Sequence, residues 1–452
     1  MRLLGFAGGP QRPGAGRIEV GFVGENSLGE KGSSRRVLEE EEEPYGGVLK
    51  RLVKAKARNF LKLQGRRIEM ISRRILCLIS VFVFALGLVA GVGVAAAAKG
   101  KDLVIGYASP LTGRAAKYGA SQKRGAAMAI DEINAKGGVN GVKLKLVWED
   151  SKCIPVEGVN AAERLVVKHK VDILMGETCS STTLAMLKVI EEHKIPLVVQ
   201  TSTAPAITAC NAPTKGYVFR IVPTNDLLAE QLAAYILDKK KLKKIAAVTD
   251  VSNDWSVTLR DAFVKEAKKR GIKLIASESV QGRETDFFAV LNKVKAKRPE
   301  ALFVNVMIDQ GPPMVRQAHE IGLRTQLFSA QGLSTPDMER GAGKEAEGMV
   351  ALAFYHPSNP DALSKKFTRA FAKRYSGKQA DHYDVQPYDA IFVIADALKR
   401  AGGDKSKLRQ ALKETKNFKG VLSNITFDEC GQAPGEMMKI QFRGGKMVPM
   451  LE

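Results

Sequence analysis

The chain has 452 residues, 45% of them hydrophobic and 26% charged, so it is long enough for two packed domains and is globular in composition. Its formal net charge of +22 raises the question of nucleic acid, but the lysines and arginines are scattered among acidic residues, without a basic stripe, zinc-finger spacing or RNA-binding signature. The charge therefore indicates solvated helix surfaces, and we expect no nucleic-acid partner.

The first hundred residues differ in character from the rest. Residues 1–47, which end in VLEEEEEPYGG, show neither strand nor helix periodicity and are typical of disorder. From Met70 onward, an Arg-Arg pair is followed by a long uncharged run and then by AAAAK. A positive start, an apolar centre and a small-residue end are typical of a secretory signal peptide. We therefore predict a signal peptide at 70–98, with residues 1–69 disordered or not translated.

A membrane anchor is the alternative for this segment, because its apolar run is long enough to span a bilayer. The alanine-rich end favours cleavage near Ala97 or Ala98, and Cys77 lies at the start of the apolar run, which argues against a lipoprotein. Export predicts a periplasmic location, where cysteines are expected to form disulfides. Four cysteines remain after cleavage and allow three pairings, which the residues alone leave open: Cys153, Cys179, Cys210 and Cys430.

Strand and helix patterns alternate along the remaining chain. Strand patterns begin with DLVIGYAS, VDILMGE and IPLVVQTS, and the alternation restarts after YVFRIVPTND with KIAAVTD, IKLIASESV and ALFVNVM. Two helical patterns follow, ALSKKFTRAFAKRYSG and QPYDAIFVIADALKRAGG, and then strand-like ITFD and MMKIQFRGGKMVPML. Strands that alternate with helices predict parallel sheets covered by helices, so we expect an α/β fold of two lobes with a shared C-terminal section.

Hydroxyl residues cluster where two neighbouring strands end. MGETCSSTT places Ser180 and Ser181 between a strand and a helix, and the next strand is followed by Thr201, Ser202 and Thr203. Ligands of open parallel sheets bind at such strand ends, and a helix N-terminus attracts a carboxylate or phosphate through its unpaired N–H groups. Helix capping, the alternative, accounts for one hydroxyl but not for two clusters. The pattern therefore favours a carboxylate-binding cradle.

Motifs for catalysis, metal binding or nucleotide binding are absent from the sequence. It contains no CxxC, HExxH, GxSxG or Walker pattern. Cys179 has no matching base for a nucleophilic role, and a disulfide is the expected state of an exported cysteine. A bond between Cys153 and Cys179 would join two neighbouring loops and hold the hydroxyl cluster in place. We expect no enzyme activity, no cofactor and no metal.

Seven stretches in order resemble the periplasmic branched-chain amino-acid-binding proteins of ABC transporters, the leucine/isoleucine/valine-binding type with the type I periplasmic-binding fold. They are GYASPLTGRAAKYG, AIDEINAKGGVNGVKLKLVWEDSKCIP, MGETCSST, TSTAPAIT, YVFRIVPTN, MVRQAHEIGL and EGMV. The resemblance covers nearly all of residues 102–452 and implies two Rossmann-like lobes joined by three hinge crossovers. It divides the chain into an N-lobe at 99–222, a C-lobe at 223–352, a return to the N-lobe at 353–427 and a final section near the hinge and C-lobe at 428–452.

The resemblance also implies roles for individual residues. Ser180 is similar to the family's carboxylate-binding serine, and Ser202 and Thr203 are similar to the loop that contacts the same ligand. Cys153 and Cys179 match its N-lobe disulfide. No role is implied for the other two cysteines, Cys210 and Cys430, which would form a second disulfide if the C-terminal section passes near that loop.

Aromatic residues of the family's pocket match Tyr118, Trp255 and Tyr383. One position departs from the family pattern: amino-acid-binding members carry an acidic residue that pairs with the ligand's ammonium, and this chain carries Gln331 there. A neutral amide lacks the charge that strengthens such a bond. Either another carboxylate takes its place or the ligand has no α-ammonium. The candidate carboxylates are Asp254 and Asp309.

Together these features predict an exported, monomeric solute-binding protein that captures a small carboxylate ligand, such as a branched-chain or other apolar amino acid, and delivers it to a membrane ABC permease. The alternatives are a periplasmic ligand sensor and an organic- or aromatic-acid-binding protein of the same fold.

Overall fold

Two sheets organise the part of the chain that the computed structural model describes, residues 102–450, which lies within one compact unit. The first sheet contains β1 (Leu103–Ser109), β2 (Leu144–Asp150), β3 (Ile173–Met175), β4 (Leu197–Val199) and β5 (Val218–Arg220). All of its pairings are parallel, in the order β2-β1-β3-β4-β5. The predicted signal peptide and the residues before it lie outside the described residues.

Helices cover both faces of this sheet, as expected for buried parallel strands. They are α1 (Ala116–Ala135), α2 (Pro155–Glu163, which continues as a wider turn through Lys168) and α3 (Ser180–His193). Three later helices join this lobe: α9 (Ala362–Arg374), α10 (His382–Arg400) and α11 (Leu408–Lys413), with α10 packed along α1. A short hairpin follows, β11 (Phe418–Lys419) and β12 (Asn424–Ile425). We call this assembly the N-lobe.

The second sheet has the order β14-β13-β10-β9-β8-β6-β7. Its strands are β6 (Ile245–Asp250), β7 (Ala276–Val280), β8 (Ala301–Asn305), β9 (Gln326–Ser329), β10 (Val350–Ala353), β13 (Met438–Arg443) and β14 (Lys446–Pro449). Its helices are α4 (Asn225–Ala233), α5 (Asp254–Lys269), α6 (Phe288–Ala296), α7 (Gly311–Glu320) and α8 (Pro336–Ala342). The two antiparallel pairings among these described strands both involve β13, one with β10 and one with β14. We call this assembly the C-lobe.

The two-lobed α/β fold predicted from the alternating patterns is confirmed. The chain passes between the lobes three times: after β5, after β10 and after β12. The lobe limits given above remain predictions. No helix among residues 102–450 combines the length and the apolar character that a membrane crossing requires.

The structure differs from the sequence expectation at the start of α10 and at elements that were not predicted, among them the helices α8 and α11 and the strand β10. The pattern starting at Gln386 predicted a helix, but α10 begins four residues earlier, at His382, because Asp381 and Asp384 form a reciprocal capping box. This earlier start places Tyr383 in the first turn of α10. The short helix α8 was not predicted, since its seven residues contain too few turns to show a period.

Candidate functional site

A cavity lies between the two sheets. Its walls come from the segments that follow β1, β3 and β4 and from the start of α10 in one lobe, and from the segments that follow β6, β8 and β9 in the other. The strand order reverses between β1 and β3 and again between β6 and β8, and ligands of open α/β sheets bind at such reversals. The lining residues are Tyr118, Thr178, Cys179, Thr201, Asn253, Trp255, Met307, Gln331, Gly332 and Tyr383.

The N-terminus of α3 reaches this cavity. Cys179 is the N-cap residue, with extended backbone angles, and its side chain accepts no hydrogen bond from the first turn. Both Cys179 and the preceding Thr178 line the cavity. A helix N-terminus without a side-chain cap offers backbone N–H groups and partial positive charge to an anion. The N-cap of α3 therefore has no hydroxyl cap, which was the alternative explanation for this cluster.

The predicted hydroxyls of α3 lie just behind the cavity surface. Ser180 is fully buried, and its oxygen accepts a hydrogen bond from the Ala204 N–H at 3.2 Å. Ser181 is half-buried on the first turn. Neither residue is among those that line the cavity. Ser180 thus ties α3 to the loop after β4, and a ligand contact by either serine remains a prediction.

The hydroxyls after β4 are also turned into the protein. Ser202 donates to the Glu177 carbonyl oxygen at 2.7 Å, and the Thr203 hydroxyl is 2.6 Å from the Asn225 side-chain oxygen. These bonds connect the loop after β4 to the loop before α3 and to α4. Contact with a ligand by these residues would fall to their backbone, and it remains a prediction.

Thr201, by contrast, lines the cavity and belongs to a buried polar network. The Gln122 amide donates to the Thr201 hydroxyl at 3.1 Å, and Thr201 donates to Gln386 at 3.0 Å. The Gln122 side-chain oxygen accepts from Ser109 and from Thr178, at 2.7 and 3.0 Å. The sequence analysis missed Gln122; its position on the buried face of α1, among apolar residues, was the available signal.

Arg220 hydrogen-bonds to the same loop after β4, and the sequence analysis also missed this residue. Its side chain is fully buried and donates to the Ala204 carbonyl oxygen, to the Thr208 hydroxyl and to the Gln432 amide oxygen, at 2.6, 2.6 and 2.5 Å. Burial lowers the pKa of Arg220 to about 9. The guanidinium therefore holds the loop after β4 in its conformation and adds positive charge to the N-lobe wall.

A buried carboxylate, Glu177, lies next to the N-terminus of α3. One of its oxygens accepts from the Ser151 hydroxyl at 2.6 Å, and the other accepts from the Cys179 N–H. Burial raises the pKa of Glu177 to about 7. A disulfide between Cys153 and Cys179, with Cα atoms 5.5 Å apart, joins the loops after β2 and β3 at this point.

A second disulfide joins Cys210 and Cys430, with Cα atoms 4.8 Å apart. It links the loop after β4 to the third passage between the lobes. The structure thus pairs all four cysteines and selects one of the three pairings that the sequence left open.

Two aromatic rings from the N-lobe form one side of the cavity. Tyr118 and Tyr383 stack with ring centroids 4.2 Å apart. The Tyr118 hydroxyl accepts from the Ile308 N–H at 3.0 Å and donates to the Gly332 carbonyl oxygen at 2.9 Å, so it also bridges to the C-lobe. Burial raises the pKa of Tyr118, which keeps this hydroxyl protonated.

The C-lobe wall is formed by the start of α5 and the turn after β9. Asn253 caps α5 by accepting from the Ser256 N–H at 3.0 Å, and this places Trp255 in the first helical turn. The indole packs so closely on Gly332 that a Cβ there would lie 2.8 Å from the ring. Among the described residues, neither the buried Trp255 Nε1 nor the buried Gln331 Oε1 has a hydrogen-bond partner.

The two carboxylates proposed as substitutes for an acid at Gln331 lie elsewhere. Asp254 is exposed on α5, and Asp309 is paired with Arg114, whose Nε is 3.0 Å from the carboxylate. Arg114 comes from the N-lobe and also donates to Asp250 at 2.6 Å and to Ser252 at 2.9 Å, all in the C-lobe. Arg114 was not identified from the sequence. The ten residues that line the cavity include no acidic or basic side chain.

Possible metal ligands occur in two other places among residues 102–450. Cys210 and Cys430 lie near Glu429, but their sulfurs are engaged in the disulfide. Glu163, Glu192 and His193 meet on the surface of the N-lobe. Neither group is part of the cavity wall.

The chain is similar to several known binding proteins. An "Amino acid binding protein" of Pseudomonas aeruginosa is 32% identical over 318 residues, which are 69% of this chain and 82% of that protein. A Leu/Ile/Val-binding protein of Rhizobium johnstonii is 28% identical, over 77% of this chain and 93% of its own length.

Solved structures agree with these sequence relatives. A leucine-binding protein from Thermotoga maritima superposes with a TM-score of 0.71 at 27% identity, covering 77% of this chain and 98% of its own. A solute-binding protein from R. palustris in complex with benzoate has a TM-score of 0.71 at 21% identity, covering 77% and 95%, a likeness that shows the fold alone.

The profile of the family described as "Periplasmic binding protein" matches residues 102–446, which is most of the chain. This match agrees with the resemblance drawn from the seven sequence stretches and with the two-lobed fold. The chain belongs to the periplasmic binding protein family.

Proposed function

We propose that this protein is the exported solute-binding component of an ABC importer, which captures a small carboxylate-bearing solute between its lobes and delivers it unchanged to a membrane permease. The observation that carries the proposal is the N-terminus of α3, whose N-cap residue Cys179 lines the cavity and whose first turn has no side-chain cap. Such a terminus attracts a carboxylate through its N–H groups and its dipole. Export through the segment 70–98, a periplasmic location and a monomeric state are parts of the same proposal.

The proposed ligand contacts come from both lobes. Eight residues supply them, through side chains or backbone: Tyr118, Ser180, Ser181, Ser202, Thr203, Trp255, Gln331 and Tyr383. A ligand that touches both walls favours the closed arrangement over an open one, so capture is a shift in the population of states. The closed form is then the one that a permease would recognise. No nucleophile–base pair is part of this wall, which supports binding without turnover.

Two ligand classes have support. Relatives named for amino acids, including leucine, isoleucine and valine, make an apolar amino acid the first candidate. The absence of any carboxylate from the ten residues of the cavity wall favours an organic acid without an ammonium group as the second candidate. Both carry the carboxylate that the α3 terminus would hold.

The test uses residues 99–452, unfolded and refolded to remove any carried-over ligand. A thermal-shift panel would compare amino acids, their deaminated acids and their carboxyl amides, with Trp255 fluorescence as a second readout. A ligand that binds the folded form raises the melting temperature. We expect carboxylates to raise it and amides to fail, and chromatography to return the ligand unchanged. Two outcomes would reject the carboxylate site: equal shifts of the melting temperature from acids and amides, and no shift from any carboxylate.

A further inference from the structure

Two polar atoms in the C-lobe wall lack protein partners. The Trp255 Nε1–H is a donor, and the Gln331 side-chain oxygen is an acceptor; both are buried, and neither is satisfied within residues 102–450. Both residues line the cavity, and Gln331 is only 4% exposed. Other buried side-chain atoms of residues 102–450 also lack partners, but only these two belong to residues that line the cavity, where a bound group could supply both bonds.

The charges around the wall argue against an ammonium as that group. The nearby carboxylates of Asp250 and Asp309 are already bonded to Arg114, and Glu177 is bonded to Ser151 and to a backbone N–H. An ammonium in this cavity would therefore be buried without a carboxylate partner, which is unfavourable.

The hydrogen-bonding capacity of each possible group then decides between them. An ammonium only donates and would leave the Trp255 N–H unmatched, while a second carboxylate or a ketone only accepts and would leave the Gln331 oxygen unmatched in the orientation that the structure gives this amide. A hydroxyl accepts one bond and donates another. It is also neutral and small, as a wall without charged side chains requires.

We propose that the ligand is a hydroxy acid, whose carboxylate lies at the N-terminus of α3 and whose hydroxyl accepts from Trp255 Nε1–H and donates to Gln331 Oε1. The apolar body of the ligand packs against the stacked rings of Tyr118 and Tyr383. This inference rests on the proposed function and chooses within its second ligand class. Trp255 and Gln331 are then the residues that determine selectivity.

The experiment compares ligands that share a carbon skeleton, using the full chain after refolding and isothermal titration calorimetry. One set is 2-hydroxy-4-methylpentanoate, leucine and 4-methylpentanoate; another is phenyllactate, phenylalanine and phenylpropionate; a third is 4-hydroxybenzoate and benzoate. In at least one set we expect the hydroxy acid to bind at least 10-fold more tightly than the unsubstituted acid and than the amino acid. If the hydroxy acid binds no better than the amino acid or the unsubstituted acid in every set, the inference is overturned while the proposed function stays intact.

Two variants test the two atoms separately. Trp255→Phe removes the donor and should weaken the hydroxy acid about 10-fold while leaving the unsubstituted acid within about 3-fold, since a buried hydrogen bond is lost in the first case alone. Gln331→Glu adds a carboxylate and should reverse the order in favour of the amino acid. Gln410→Glu, which makes the same change of charge on α11, is the control and should change neither. If both cavity variants weaken the binding of all acids equally, Trp255 and Gln331 do not bind the ligand hydroxyl, and the inference fails. If no acid binds to any form of the protein, the proposed function itself fails.

Discussion

The two walls of the cavity are built in different ways. On the N-lobe side, the hydroxyls of Thr178 and Thr201 that line the cavity bond to neighbouring side chains, and a disulfide fixes Cys179, the N-cap residue of α3. On the C-lobe side, Trp255 and Gln331 are held by packing and leave polar atoms without partners. The first wall presents backbone N–H groups in a fixed frame, whereas the second presents side-chain atoms.

This difference separates two properties of the site. A helix terminus can hold any carboxylate, so the N-lobe wall recognises the shared part of a ligand. Side-chain atoms without partners favour a ligand that matches them, so the C-lobe wall selects among carboxylates. Changes in the N-lobe wall should therefore reduce stability and affinity together, and changes in the C-lobe wall should mainly alter selectivity.

The largest combined effect on stability and ligand affinity is expected from removal of the disulfide beside α3. Replacing Cys153 and Cys179 together by Ser opens a loop of sequence separation 26 and should lower the free energy of unfolding by about 3 kcal/mol. Affinity should fall by a similar factor for every carboxylate, because the N-cap position 179 of α3 is no longer fixed. Guanidinium unfolding and calorimetric titration measure the two quantities.

Replacing Cys210 and Cys430 by Ser is the matched control. Their sequence separation of 220 predicts a loss of unfolding free energy of about 5 kcal/mol, but neither residue lines the cavity. Affinity at a temperature where the variant is folded should stay within about 3-fold of the parent. Equal losses of affinity in both double variants would show that the N-lobe wall gains nothing particular from its own disulfide.

The next largest effect is the pH dependence of the unfolding free energy that Glu177 causes. Burial raises the pKa of this carboxyl from 4.5 to about 7 in the folded protein, so the folded state binds its proton more tightly than the unfolded state. The stabilisation is complete below pH 4.5 and is lost as pH rises through about 7, a change of roughly 3 kcal/mol in unfolding free energy. Glu177→Gln, measured by denaturant unfolding from pH 4 to 8, should flatten this part of the profile.

Asp389 provides the comparison for this pH effect. It is buried away from the cavity, where it accepts from the N–H groups of Val421 and Leu422, and burial raises its pKa to about 7 as well. Asp389→Asn should therefore flatten the stability profile too, but without a change in ligand affinity. If Glu177→Gln also leaves affinity unchanged across this range, Glu177 does not couple electrostatically to the carboxylate site.

The sequence predicted the fold because the signals for it are local. Strand and helix periods appear within short windows, and their alternation is enough to indicate parallel sheets in two lobes. The start of α10 was missed, since a capping box depends on the precise backbone of two residues and not on a period. The helix α8 is too short to show one.

The sequence predicted where α3 begins, but not the direction of the side chains around it. Hydroxyl clusters at two strand ends led us to predict a ligand site there, and that site remains a prediction. Ser202 and Thr203 nevertheless turn inward, because their partners, Glu177 and Asn225, are supplied by other segments of the fold. Arg114 was missed for the same reason: its carboxylate partners lie 136 and 195 residues away in sequence.

A smaller effect should come from the contact that holds the two walls together. Arg114→Met removes the hydrogen bonds from the N-lobe to Asp250 and Asp309 and leaves the buried Asp250 carboxylate without its cation in the closed form. We expect a loss of about 2 kcal/mol from closure, seen as a roughly 30-fold weaker affinity for every ligand. Small-angle scattering should show a larger radius of gyration without ligand.

Lys117→Met is the matched control for Arg114. Lys117 also reaches the other lobe, but its nitrogen is 3.8 Å from Asp337 and its side chain is 54% exposed. Such a pair contributes at most about 1 kcal/mol, so affinity should change by less than about 5-fold. If both variants behave alike, the buried position of Asp250 does not matter for closure.

The smallest effect tests why the α3 terminus, and not that of α5, is assigned to the carboxylate. The first turn of α5 is capped by Asn253, whereas that of α3 has no side-chain cap. Asn253→Ala should lower the unfolding free energy by about 1 kcal/mol, as should Thr224→Ala at the cap of α4, which does not line the cavity. Because the carboxylate is assigned to the terminus of α3 and not to that of α5, carboxylate affinity should change less than 3-fold in either variant. A marked gain in affinity for Asn253→Ala alone would mean that uncapping α5 creates a second anion position, and that capping by side chains is what restricts the carboxylate to the N-lobe wall.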